Sequence, residues 1–486
     1  MNHLRRHFVF AVLCLSLFSV KPFAATAAKP ALAPLTTSSP VARRLYLHGL
    51  DRYANNLQQN KALDAWRAAV RLDPKFAMAW IQIATVSRNP RETHAARVHA
   101  KSSAVRTSRP EQLFIKWSVD VQEDNYIDGI SAMNDLLSLV PGDKWMLYLT
   151  GTWLMNEGAN DRARALFEKT LVLDPNFPAT LNNLGYLYAR KRDFPKAIEL
   201  LSRYTKLIPG EPNGEDSQAE ILRQSGNFEG ALQHYHAALK IDPKFFYSQY
   251  GLADTYSLMG AQSRARTEYE KAIAMAGTEA DRLDYLLQSA ASYVREGNYA
   301  EADKKFAAVA LRAHRAEHDL HEARAHRFMS LYQSDGAAAL HHLDEAEDSL
   351  HHSTMISGYE RQLEQAAILR ARIFLIARNY NLPLAEDALS KLGALSDSTR
   401  NQSIEREYQA ATGALFMARR DAAEAIPHLK EDIDNPFSME LLARAYKATG
   451  DERALEEMEN RLLNTNIATM EQALVVLPAR QAAHAR

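Results

Sequence analysis

Cysteine is nearly missing: the 486 residues hold one, Cys14, and it lies in an apolar run near the N-terminus. With no second thiol the chain forms no internal disulfide and no thiolate metal cluster, so stability has to come from packing. A lipoprotein cysteine needs a small residue before it, and Leu13 is not one. An excess of either charge is missing too. Lys and Arg number 58 against 59 Asp and Glu, a formal charge of -1, which gives no electrostatic reason to expect nucleic acid or an anionic membrane as partner. Glycine is sparse, and its 19 residues fall mainly at turns between apolar-periodic segments. They build no phosphate loop, and no Gly-x-Ser-x-Gly elbow occurs. No stretch alternates with period two, so no sheet is expected. Acidic neighbours such as Glu345 with Glu347 and Asp348, or Glu456 with Glu457, suit solvated helix faces. The expectation is a protein that is not an enzyme and carries no cofactor.

What is present begins with residues 1–28. Arg5 and Arg6 precede the apolar run Phe8 to Val20, and Lys21-Pro22 and the small residues Ala24-Ala25-Thr26-Ala27-Ala28 follow it. That is the layout of a secretory signal peptide, cleaved near residues 25–28. The run is shorter than the roughly 20 residues that cross a hydrocarbon core. Cleavage removes three positive charges (Arg5, Arg6, Lys21), no acid and the only cysteine, so the formal charge moves from -1 to -4. The expected location is therefore periplasmic or secreted. An uncleaved signal, kept as an anchor, is the alternative. Residues 29–41, rich in Ala, Pro, Ser and Thr, read as a linker.

A repeat follows. Pro141, Pro175, Pro209 and Pro243 stand at a constant spacing, each closing an apolar-periodic segment, because proline lacks the N–H a helix needs and clashes with the preceding turn. Between them the same residue types recur. One unit places Leu181, Leu184-Gly185, Tyr188, Ala197, Leu201 and Pro209, and the unit before it places Leu147, Gly151, Leu154, Ala163, Phe167 and Pro175 at the same offsets. This pattern resembles the tetratricopeptide repeat, of an exported bacterial type. The resemblance implies an all-α fold, a right-handed superhelical solenoid of stacked helix-turn-helix units. The well-matched array spans residues 42–312. Residues 313–477 read as degenerate hairpins with a C-terminal cap, or alternatively as a separate helical domain, and 478–486 as a tail.

In such an array the first helix of each unit lines the inner wall. The expected inward positions are Trp145, Tyr148, Thr152 and Asn156 in one unit, then Asn182, Tyr186 and Arg190. Asp216, Glu220 and Arg223 follow, then Tyr247, Tyr250 and Asp254. Rigid aromatics among opposite charges suit a protein or peptide ligand. The alternative is that the tyrosines pack on neighbouring helices. Relatives that capture a terminal carboxylate use Lys, Asn and Arg in adjacent first helices. Asn182 and Asn183 fit that pattern, but Asp216 and Glu220 would repel a carboxylate, so the activity is not carried over.

Histidines crowd one stretch: His314, His318, His321, His326, His341, His342, His351 and His352. On one helix, His314, His318 and His321 would share a face and could hold a zinc, nickel or copper ion. A solvated polar face is the plainer reading, and no metal is assigned. The functional expectation is a scaffold or adaptor of the bacterial cell envelope that binds a protein or peptide in the concave groove and meets a membrane only through a partner or an uncleaved signal. Alternatives are a subunit of envelope biogenesis or secretion assembly, and an exported metal- or ligand-binding protein using residues 314–352.

Overall fold

In the computed structural model the described residues are 34–123, 125–378 and 381–484, so the expected signal peptide lies outside them. No strand occurs among the described residues. The helices are α1 (Pro40–Ala54), α2 (Gln59–Leu72), α3 (Ala77–Val86), α4 (Pro90–Ala104), α5 (Arg109–Asp120), α6 (Tyr126–Leu139), α7 (Lys144–Asn156) and α8 (Asn160–Leu173). Next come α9 (Pro178–Arg190), α10 (Phe194–Leu207), α11 (Asn213–Ser225), α12 (Phe228–Ile241), α13 (Phe246–Leu258), α14 (Gln262–Met275), α15 (Glu279–Arg295) and α16 (Tyr299–Arg315). The last are α17 (Asp319–Ser330), α18 (Gly336–His352), α19 (Gly358–Arg378), α20 (Leu382–Thr399), α21 (Gln402–Ala418), α22 (Ala422–Lys430), α23 (Pro436–Thr449), α24 (Glu452–Leu463) and α25 (Leu477–His484), with a π-helical turn, Gln472–Val476, before α25. Consecutive helices pack as hairpins and each hairpin packs on the next. The result is an α-solenoid, and the pairing runs on past residue 313 without a break.

Local chemistry explains the regularity. Asp73, Asp174 and Asp242, each before a proline, fold their carboxylates back onto the backbone N–H two residues on, at 3.1, 3.2 and 2.9 Å. This turn gives the chain an alternative to continuing the helix. Gly158, Gly226 and Gly260 take positive φ in the turn inside their hairpins, and Arg192 takes it, at φ 62°, in the equivalent turn between α9 and α10. Small residues set the helix spacing. A Cβ on Gly185 would lie 2.9 Å from Leu201, and one on Gly151 2.6 Å from Phe167. Tyr46, Trp66, Phe167, Tyr204, Tyr235, Tyr269 and Phe306 fill the spaces so defined and are fully buried.

The superhelix is wound tightly enough for its turns to touch. Tyr359 N–H of the tenth hairpin (α19/α20) donates to Gln122 O after α5, in the third, at 3.4 Å. Arg406 of the eleventh donates to Glu157 O of the fourth at 3.4 Å. Asn464, after the twelfth, accepts from Arg192 of the fifth at 3.5 Å. These three contacts join hairpins seven apart. Glu157 is 1% exposed, and its carboxylate accepts from Tyr126 and Tyr359 at this seam. Burial pushes its carboxyl above the usual range in spite of those donors.

Candidate functional site: the inner wall of the solenoid

The expected wall positions divide by what they touch. Trp145 is half-buried and packs edge-on to Phe177 at 4.9 Å between ring centres. Tyr148 is 4% exposed and meets both Phe167 and Phe177; burial drives its hydroxyl well above the usual phenol range. Thr152 Oγ1 donates to Tyr148 O and accepts from Asn183 Nδ2 at 2.9 Å. Asn156 is exposed at the end of α7. Asn182 is half-buried, and its Oδ1 is enclosed without a hydrogen-bond donor. Tyr186 donates to Glu220 at 2.9 Å, and Arg190 donates to Met155 O and Asn160.

Deeper in the wall the charges pair with one another. Arg223 donates to Asp254 at 2.7 Å, and Tyr269 donates to the other oxygen of Asp254 at 2.6 Å. Asp216 accepts from Ser248 at 2.6 Å. Burial, aided by the nearby Glu220 charge, pushes the Asp216 carboxyl up to about 7. Tyr247 stacks on Phe246, and Tyr250 packs between Tyr269 and Tyr285.

Distant parts of the same chain close over this wall. Arg52 and Gln58 donate to Glu211 at 3.1 and 2.6 Å. Tyr204 OH donates to Asn55 O at 2.7 Å. Arg88 binds Asp281 and Asp284 at 2.6 and 2.5 Å. Although burial works against ionisation, His321 and Arg88 hold the Asp284 carboxyl well below the usual range. From the other end, Asn466 donates to Gln224 O at 3.3 Å, and the buried Arg295 donates to Thr469 O at 2.9 Å and to Gln472. The π-helical turn packs between α15 and α23. The start of α9, the end of α11 and helix α15 are therefore met by distant parts of the chain.

The open part of the inner wall lies further along. The first helices α17, α19, α21 and α23, floored by Glu471, Leu474 and Val475, surround a cleft of about 820 Å³. Its apolar surface includes Phe374 and Phe437, 6.0 Å apart. Tyr299 and Tyr332 stack at 5.3 Å along its edge. Arg370 lies over Phe374 and pairs through Nη1 with Glu407 at 2.8 Å and through Nη2 with Asp432 at 3.4 Å. Sequence reasoning passed over these residues because the repeat signal fades there. The helical spacing of residues 363–377, 408–419 and 439–448 was the available sign.

The histidine face is broken by the fold. His314 ends α16, the chain turns through Glu317 at φ 57°, and His318 precedes α17. His314, His318 and His321 therefore do not share one helical face. Glu322 meets His314 at 3.1 Å across the turn. His321 is buried against Asp284 at 3.2 Å. No three His, Cys, Asp or Glu side chains converge as a metal cluster among the described residues.

Comparison with known proteins agrees with the hairpins. A family model described as "Tetratricopeptide repeat" matches residues 148–212, and one described as "TPR repeat" matches 219–260. The chain is 26% identical to a beta-barrel assembly-enhancing protease of Yersinia pestis over 34% of each chain. It is 24% identical to a peroxisomal targeting signal receptor of Eremothecium gossypii, over 47% of this chain and 42% of the receptor. It thus spans well under half the length of these curated relatives. Among solved structures, a tetratricopeptide repeat protein from Parabacteroides merdae aligns with 15% identity and a TM-score of 0.35, over 56% of this chain and 93% of its own. The family matches thus place tetratricopeptide repeats on the consecutive hairpins of residues 148–212 and 219–260, within a continuous helical array.

Proposed function

We propose that the chain is a non-enzymatic adaptor that holds a segment of a partner protein in the cleft of α17, α19, α21 and α23, and that it works in the bacterial cell envelope. The observation that carries this reading is the cleft itself. It is a large open hollow on the inner wall, and it offers the aromatic faces of Phe374 and Phe437 beside the paired guanidinium of Arg370. Glu407, Glu440 and Glu471 stand around the cleft with Arg327, Arg370 and Arg444, a lining of aromatic faces and both charges that suits a segment carrying apolar and polar side chains. The envelope assignment rests on the leader-like residues 1–28.

A photocrosslinking amino acid at Phe437 of the full chain tests this in the envelope fraction. The adducts should share one segment that, once synthesised, binds the purified chain and is lost on Phe374→Ser. Adducts with no common segment, or binding indifferent to Phe374→Ser, would overturn the cleft as the site. A docking subunit for envelope assembly is the second reading. The similarity to a relative named for beta-barrel assembly favours it, and it predicts that the crosslinked partner belongs to a membrane complex.

A further inference from the structure

We propose that Glu157 is a pH-sensitive clasp between successive turns of the superhelix, closed while its carboxyl is neutral and released when it ionises. This goes beyond the adaptor reading and does not depend on it. Glu157 follows α7 in the first turn, and its side chain is enclosed at the seam. One carboxyl oxygen accepts from Tyr126 of α6 at 3.1 Å, and the other accepts from Tyr359 at the start of α19 in the second turn. Asn401, the buried N-cap of α21, adds a further side-chain hydrogen bond. The remaining polar ties at this point are long: Ser403 and Arg406 reach Glu157 O at 3.4 Å, and Tyr359 N–H reaches Gln122 O at 3.4 Å. The carboxyl group is therefore the principal polar joint between the turns here.

Ionisation works against that joint. Burial raises the Glu157 carboxyl, and Tyr359, Tyr126, Arg406 and Asn401 offset the rise only in part. Arg406 donates to the main-chain oxygen rather than to the carboxylate. The other charged groups at the seam act on these partners: Arg162 of α8 on Tyr126, Glu360 of α19 on Tyr359, and Arg190 of α9 against Arg406. A tyrosine hydroxyl accepts as well as donates, so the two phenols also serve the neutral acid. An ionised carboxylate sealed from water carries a desolvation penalty that opening the seam relieves. The folded value lies above that of an unfolded glutamate, so the contribution of Glu157 is complete below about pH 4 and is lost as pH rises through the folded value. Helices α19 and α21 both begin at this joint, and both line the cleft further along, with Phe374 and Met417. The clasp thus fixes the ends from which two walls of the cleft rise.

The test uses the full chain with Cys14→Ser, and with Asp216→Asn so that this other raised carboxyl does not contribute. Spin labels on Lys169→Cys of α8 and Ser398→Cys of α20, both exposed, stand on either side of the seam. Pulsed electron resonance should give one narrow distance distribution near about pH 4, and a second, longer distance whose share grows severalfold and reversibly toward about pH 8. Glu157→Gln, with a neutral amide in place of the acid, should keep the narrow distribution throughout. Tyr359→Phe, which cuts the joint and leaves the acid in place, should show the longer distance already at the acid end. Circular dichroism confirms that each variant keeps its helices. A distribution independent of pH in the labelled parent, the same pH response in Glu157→Gln, or no longer distance in Tyr359→Phe would each overturn the clasp.

Discussion

The inner walls of α7–α13 and of α17–α23 are built from the same kind of hairpin, yet one faces its own chain and the other faces an open cleft. In the first, Tyr148, Arg223 and Asp254 are each at most 6% exposed, and Asp254 accepts from Arg223 and Tyr269. In the second, Phe374, Phe437 and Leu474 are only partly covered. The repeat determines which helix faces inward. What then stands opposite that helix is determined by winding, through contacts such as Arg52 with Glu211 and Arg295 with the Thr469 carbonyl. A repeat motif therefore identifies a wall, and only the closed superhelix shows whether the wall is free.

This contrast can be broken or sharpened by substitution. The largest effect is expected from Arg223→Met, which leaves the Asp254 carboxylate buried without its cation. Chemical denaturation should show a loss of about 3–5 kcal/mol, whereas Arg444→Met, on the exposed rim of the cleft, should change stability by less than about 0.5 kcal/mol. Equal losses would mean that the two walls do not differ. Gly251→Leu would press a side chain into Tyr235, where even a Cβ lies 2.3 Å from the ring, and should cost about 1–3 kcal/mol. An unchanged melting temperature would show that α12 and α13 are not in this register.

Asp216 gives the filled wall a pH signature. Its folded pKa, raised to about 7, exceeds that of an unfolded aspartate, so its contribution is fully present below about pH 4 and is lost as pH rises through about 7. Asp216→Asn removes that loss. The variant should track the wild type at pH 4 and exceed it at pH 8, by on the order of 1–3 kcal/mol; parallel curves across that range would show that the carboxyl is not buried as described. Among substitutions in the filled wall, the smallest effect is expected from Tyr204→Phe. It deletes the hydrogen bond to the Asn55 carbonyl and should cost about 1 kcal/mol. Hydrogen exchange should also quicken at the seam between α1/α2 and α10/α11, and an unaltered seam would contradict its role in closing the wall.

Much of the fold could be read from the sequence because its determinants are local. Pro175 closes α8 from two residues away, Gly185 admits Leu201 from the next helix, and Asp174 and Asp242 fold back on their own turns. The same locality explains why Tyr148, Tyr186 and Tyr250 could be placed on first helices. It did not show which distant segments meet that region, because Asn55, Arg88 and Asn466, which reach Ala179, Asp281 and Gln224, arrive from far along the chain and carry no motif. The histidine face failed for another reason. The turn at Glu317 has a left-handed backbone without glycine or proline, so nothing in the residues from His314 to His321 announced a break.

The central claim is that the free inner wall lies in the α17–α23 region and the α7–α13 wall is engaged by the chain itself. It is tested most directly by placing one photocrosslinking residue at a time at Tyr186, Tyr250, Phe374 and Phe437 and mapping adducts in the presence of the envelope fraction. The account predicts crosslinks within the chain from Tyr186 and Tyr250 and crosslinks to a partner from Phe374 and Phe437. Partner crosslinks from the two tyrosines, with none from the two phenylalanines, would contradict it.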